Sequence, residues 1–283
     1  MLQTVRSHLR RDHRWLRWRR IQKEGVFAAA SRRRIWSKIL AAPPVPKHLC
    51  AGAGNTEVHL LCWDADYLSA IWALKSLYRF VTQPLPLVVH FQGHLTARIE
   101  RTLRSHLPGA RLVAQSEADC AIEDVLNRRR MPRIAASRRQ APFMQKLVDF
   151  LILAHGQRIL ILDADVLFFA PPKELFRATQ SAENIALFLQ DPASVYNVSE
   201  EQAQSELGIE VAPRINTGIV VIDREIVDLG RCEYFLGNPD VARPNGYIEQ
   251  TLYALVASER NCVSYLPQSY LVSLDHGKAL TVS

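Results

Sequence analysis

From Glu57 onward, short apolar runs alternate with longer stretches whose apolar residues recur at helical spacing. "VHLLC" (58–62), "LPLVVHF" (85–91) and "ARLVA" (110–114) read as strands, and "YLSAIWALKSLYRF" (67–80) and "TARIERTLRSHL" (96–107) between them read as helices. The pattern resumes with a helix over 143–156 and an apolar run over 158–169. A strand follows at 185–191, the segment 215–223 reads as strand-like after an "NTG" turn, helices lie near 199–207 and 246–258, and extended segments at 262–267 and 279–283. Strands alternating with helices through short connections predict an α/β domain built on a mostly parallel central sheet.

The run "RILILDADVLFF" (158–169) breaks its own rule. Apolar runs of this kind are strands covered on both faces. An ionised carboxylate there is costly unless a cation or hydrogen-bond donors meet it. This one carries two, Asp163 and Asp165. Residues two apart on a strand face the same side, so both acids are expected to aim at one spot. In parallel sheets that spot, beyond the strand's carboxyl end, is where ligands bind.

Between the two halves, the polar stretch 127–142, "NRRRMPRIAASRRQAP", reads as a solvated loop whose arginines are also candidates for meeting phosphate or an acidic acceptor. Residues 1–47 hold 13 Lys/Arg against 2 Asp/Glu, a local +11, whereas the other 236 residues hold 22 against 26. The net charge of +7 therefore belongs to an N-terminal arm, not to the body. Within 1–42, one or two helices are expected, with Trp15, Trp18 and Trp36 among arginines. That pattern suits an interfacial helix on anionic lipid, nucleic acid, or simply a solvated basic helix, and no nucleic-acid partner is expected. "APPVPKHLCAGAGN" (42–55) reads as a linker, giving an arm-plus-linker over 1–50 and a domain over 51–283.

Five scattered cysteines (Cys50, Cys62, Cys120, Cys232, Cys262) with no C-x-x-C spacing point to neither a disulfide framework nor a zinc site, and to a reducing compartment. No run of about 18 apolar residues is present. Nor does an apolar region of signal-peptide length follow the arm's charges; "SRRRIWSK" echoes a twin-arginine signal, but the proline-rich "ILAAPPVP" after it does not continue one. The expected location is cytoplasmic, with the arm as a peripheral contact on the inner face of a membrane.

Two carboxylates at a strand end suit a hard divalent cation, Mn²⁺ or Mg²⁺, held across a diphosphate. A rival is the haloacid-dehalogenase phosphatase pattern, an apolar strand followed by Asp-x-Asp, in which the first Asp is a nucleophile. That pattern belongs on a first core strand, and here about a hundred residues of alternating strand and helix come before it. A third reading has Asp163 capping a turn and Asp165 solvated.

The ordered set of motifs resembles the nucleotide-sugar glycosyltransferases of the GT-A fold, most closely the retaining family-8 group that includes glycogenin and bacterial galactosyltransferases. The resemblance runs from about Val58 to Ser273. It rests on "CWDAD" ending the first strand, "QKLVD" on a helix, "LDADVLF", "INTGIVVID" and "YIEQTLY". It implies that Asp64 contacts the nucleotide, that Lys146 lies near the donor diphosphate, and that Asp163 and Asp165 bind the metal. Asn216, Thr217 and Gly218 would lie beside the donor sugar, and Glu249 and Gln250 near the sugar and reaction centre. Each residue also has a plainer reading: Lys146 snorkelling, Asp64 capping a helix, Gly218 turning the chain, Glu249 and Gln250 facing solvent.

The family draws a third metal ligand from a late His-x-x-Gly segment, and here the chain offers only "LDHGKALTVS", with glycine directly after His276. His276 is thus either a ligand out of register or a turn histidine. In the second case the domain is expected to be truncated at its C-terminus and to hold metal weakly, as an inactive form or a non-catalytic binder of sugar nucleotide or membrane. The activity the resemblance implies is hexose transfer, with retention, from a UDP-sugar donor to a glycan, lipid-linked or protein hydroxyl.

Overall fold

The computed structural model describes residue 31 and residues 34–272. The readings of the arm therefore lie largely outside the described residues, as do His276 and the extended segment at 279–283. Residues 34–41 are helical. No helix among the described residues is long and apolar enough to cross a membrane.

The remainder, from Pro44, is one compact unit. Its strands are β1 (Thr56–Cys62), β2 (Leu87–Phe91), β3 (Arg111–Ala114), β4 (Arg158–Leu162), β5 (Ala186–Gln190), β6 (Ile215–Asp223) and β7 (Val263–Tyr265). Its principal helices are α1 (Tyr67–Tyr78), α2 (Ala97–His106), α3 (Gln115–Arg129), α4 (Pro132–Gln140), α5 (Met144–Leu153), α6 (Lys173–Thr179), α7 (Leu229–Phe235) and α8 (Ile248–Glu259). The strands form one seven-stranded sheet in the order β3-β2-β1-β4-β6-β5-β7. The expected α/β domain with a mostly parallel central sheet is the architecture observed.

Every residue of β1 and β4 is buried, as strands covered on both faces require. α2 shows the opposite pattern: capped by Thr96, whose side chain accepts from Ile99 N, it buries only Ile99 and Leu103. α5 and α8 are apolar enough to pack between the sheet and other helices. Their buried polar residues (Gln145, Lys146 and Asp149; Glu249 and Gln250) therefore need partners inside the protein.

β6 pairs antiparallel with both β4 and β5, through registers such as Leu162↔Ile219 and Gln190↔Ile215. The reversal matters for the site. It brings the start of β6 to the sheet edge where β1, β4 and β5 end, so Asn216–Gly218 lie beside Asp163, and Asp163 N donates to Gly218 O at 2.9 Å.

Two expectations are corrected. β4 stops at Leu162, so Asp163 and Asp165 stand in the turn after the strand, and strand alternation is not what gathers them. The stretch 127–142 is not a solvated loop: it spans the end of α3, a left-handed turn at Arg130, and α4 opened by Pro132 at its first turn. Arg138 there is buried and grips Asp149 through two bonds of 2.6 and 2.7 Å, with Asp119 at 2.7 Å. Internal carboxylates, not phosphate, neutralise this arginine.

Candidate active site

The site is built from element ends that meet at one edge of the sheet: the turns after β1, β4 and β5, the start of β6, and the first turns of α5 and α8. Lys146 is its hub. The side chain is almost fully buried, and its Nζ lies 2.7 Å from Asp163 Oδ1 and 3.8 Å from Glu249 Oε1 while donating to Thr217 O at 3.0 Å. Burial alone depresses a lysine's pKa, but here the Asp163 and Glu249 carboxylates outweigh it and the value is raised. Lys146 is thus an interior cation fixed by acids, not a snorkelling surface residue.

Around it, Thr217 Oγ1 donates to Glu249 Oε2 (3.0 Å) and Thr217 N to Gln250 Oε1 (3.3 Å). Gln250 Nε2 donates to Val195 O at 3.1 Å, so its amide clamps β6 to the loop after β5. Asn216 Oδ1 accepts from Gly218 N and its Nδ2 donates to Asp191 Oδ1, both at 2.8 Å. A Cβ at Gly218 would stand 2.9 Å from Asn216 Oδ1 and 3.4 Å from Asp163 Oδ2, so any side chain there would displace the Asn216 amide.

Glu249 and Gln250 are buried and do not face solvent. Burial pushes the Glu249 carboxyl up to about 7, against the pull of Lys146. Among the described residues its Oε1 has no hydrogen-bond partner, Lys146 Nζ standing 3.8 Å away. Asp165 faces outward at the mouth; partial desolvation and then the neighbouring charge of Asp163 raise its pKa. Asp64 is exposed on the turn after β1. In that turn Asp66, which sequence reasoning missed, accepts from Trp63 N at 2.6 Å, and burial followed by the charges of Asp165 and Asp64 raises its pKa. Asp191, also missed, directly follows β5, and burial raises its carboxyl against hydrogen bonds from Asn216 and Gln250. Its signal in sequence was an acid closing an apolar strand, the same feature that singled out Asp163.

Seven of the residues singled out in sequence (Lys146, Asp163, Asn216, Thr217, Gly218, Glu249 and Gln250) thus belong to one bonded network, with Asp165 and Asp64 at its mouth. Among the described residues, no group of three His, Cys, Asp or Glu is arranged to hold a metal. Asp163 and Asp165 would offer a hard cation two carboxylates, short of a full set of oxygen ligands.

Replacing Lys146 with methionine is expected to cost about 1–3 kcal/mol, below the range for breaking a fully buried pair. Asp163 is 39% exposed and can be hydrated, and Glu249, already near 7, can take a proton. Urea denaturation at pH 7.5 and 6 measures this, the loss shrinking at the lower pH as Glu249 protonates.

No protein-family model matches the sequence, and no curated protein matches it. Solved structures with similar folds include mouse xyloside xylosyltransferase 1 in apo form, at 16% identity over 75% of this chain and 84% of that one, with a TM-score of 0.49. Another is glucosyl-3-phosphoglycerate synthase from Mycobacterium tuberculosis in complex with UDP, at 13% identity over 80% and 73%, with a TM-score of 0.47. Core-mannan synthase A from Aspergillus fumigatus, in an Mn/GDP form, matches at 10% identity over 79% and 75%, with a TM-score of 0.46. At these scores the likenesses carry no weight on activity; the geometry of the site does.

Proposed function

We propose that this domain is a GT-A-type glycosyltransferase that moves a hexose from a nucleotide diphosphate sugar, UDP-linked by preference, to a hydroxyl acceptor. The observation that carries this reading is the meeting, at one sheet edge, of Asp163 and Asp165 with Lys146 and the Asn216–Gly218 segment. The donor's diphosphate brings negative charge, and a divalent cation bound with it would neutralise the leaving group as the glycosidic bond breaks.

The chain's own residues set the rest. Asp163 and Asp165 supply oxygen ligands. Lys146 holds Asp163 in place and adds a fixed positive charge close to the diphosphate. The exposed carboxylate of Asp64 suits the nucleoside hydroxyls. Asn216 and Asp191, locked by their mutual bond, present a polar wall to the sugar. Glu249 and Gln250 fix that wall from behind through Thr217. Glu249 is too enclosed to serve as a covalent nucleophile. The proposed step is therefore a front-face displacement, the departing diphosphate taking the acceptor's proton, and retention follows from the family resemblance. The acceptor is a glycan, lipid-linked or protein hydroxyl.

The assay is release of UDP from UDP-glucose and UDP-galactose with Mn²⁺ or Mg²⁺ and with EDTA. Release that requires the divalent cation supports the transferase. No release from either donor, with hydrolysis of a simple aryl phosphate in Mg²⁺, would favour the phosphatase.

A further inference from the structure

A second chain of titratable groups lies inside the sheet, away from the site: Glu57 and His59 on β1 and His90 on β2, all 2% exposed or less. Glu57 Oε2 accepts from His155 N at 2.7 Å and Gly156 N at 3.2 Å, and lies 3.4 Å from His59 Nε2. His59 Nδ1 is 3.0 Å from His90 Nε2. The carboxylate sets the direction of the protons. His59 must point its Nε2–H at Glu57, which leaves Nδ1 to accept, so His90 gives its Nε2–H to His59. The last atom, His90 Nδ1, is then a buried lone pair, and it has no partner among the described residues.

Phe150 of α5 rests on both rings, its centroid 5.1 Å from His59 and 4.4 Å from His90. The two N–H groups on Glu57 belong to the segment that leaves α5. The relay therefore supports the helix that carries Lys146, from its middle and from its end. We propose that Glu57–His59–His90 is an acid-sensitive latch beneath α5: a proton taken up by the imidazole pair loosens this helix and with it the seat of Lys146.

Among the described residues, the charged groups that bear on the two rings oppose the added charge, with one exception. Arg111 on β3 and Arg224 after β6 bear on His59, and Arg111 and Arg138 on His90. Arg138 itself is bound by Asp149 of α5 and Asp119 of α3. Only Glu57 favours protonation, and it touches His59 alone. Burial, ahead of these charges, holds both imidazoles below the ordinary histidine value. The unfolded chain then binds more protons than the folded one as pH falls below about 6.5, so stability drops in that direction. With two rings involved, the opening constant is expected to rise about 10- to 100-fold per pH unit. His106, also lowered, acts in the same sense, and Glu249, raised to about 7, in the opposite one, so the latch is isolated by comparing regions and variants.

The test is amide hydrogen exchange of the full chain at pH 7.5 and 5.5, corrected for the intrinsic pH dependence of exchange. Protection in α5 is expected to fall at least 10-fold more than protection in β6, and the His59→Leu/His90→Leu protein is expected to lose that difference. If protection in α5 is unchanged in the parent, or falls only in step with β6, the latch is wrong, whether or not the double variant folds. The same holds if the variant keeps the parent's selective loss. None of these outcomes depends on the transferase reading.

Discussion

Asp165→Asn is expected to cut UDP release from UDP-glucose or UDP-galactose by about 100-fold or more while leaving the melting temperature at or slightly above that of the parent. A cation acting on a leaving diphosphate contributes several kcal/mol, and each 1.4 kcal/mol is a factor of ten. Asparagine keeps the shape but removes the charge a hard cation needs. Among the described residues Asp165 has no ion-pair partner, and burial followed by Asp163's charge pushes its carboxyl upward, so neutralising it relieves both. Activity falling while stability holds would separate a functional acid from a structural one. Asp163→Asn should be equally inactive but less stable, because it also breaks the 2.7 Å contact with Lys146. Turnover equal to the parent in either protein would remove the metal-ligand assignment.

Arg158→Met is expected to have the largest effect on folding, about 3–5 kcal/mol of a total that for most domains is about 5–15 kcal/mol. Arg158 and Asp223 are joined by two bonds of 2.9 Å, with side chains 4% and 9% exposed. The same guanidinium donates to the carbonyls of Ala178, Ser181 and Glu183 at 2.7–2.8 Å. Methionine fills the stem's volume but leaves a buried carboxylate that only Ile185 N, at 2.6 Å, still satisfies. The contrast with Lys146 lies in escape: with its side chain 9% exposed, Asp223 is closed to hydration. Urea denaturation followed by circular dichroism measures the loss. A loss under 1 kcal/mol would mean the pair is structurally idle. Arg158→Met/Asp223→Leu should recover part of it, since removing both charges is far cheaper than stranding one.

The strands and most of the helices, α3 and α4 apart, were legible because their apolar periodicity matches how they pack. β6 was legible as strand-like only after a turn at "NTG", whereas the strand runs Ile215–Asp223 with Asn216–Gly218 inside it, and its direction was not legible: hydrophobic pattern is the same for parallel and antiparallel neighbours. That direction is what sets Asn216 beside Asp163, so the ordered motifs carried more spatial information than the periodicity. α3 and α4 were hidden by composition. A segment as rich in arginine as 127–142 looks solvated until Asp149 and Asp119 are known to face Arg138. Lys146 and Glu249 were found by motif, yet nothing in sequence says that each is buried by the other. The relay of Glu57, His59 and His90 was invisible for the same reason: "TEVHLLC" reads as a strand with polar interruptions until β2 supplies the second histidine.

In the proposed site the protein supplies two acids and a diphosphate fills the remaining cation positions. The test is calorimetric titration of UDP into the full chain, with Mn²⁺ and with EDTA. UDP and Mn²⁺ are expected to bind together far more tightly than either alone, and Asp165→Asn to abolish the cooperation. UDP binding that is unchanged by EDTA and by Asp165→Asn would contradict it.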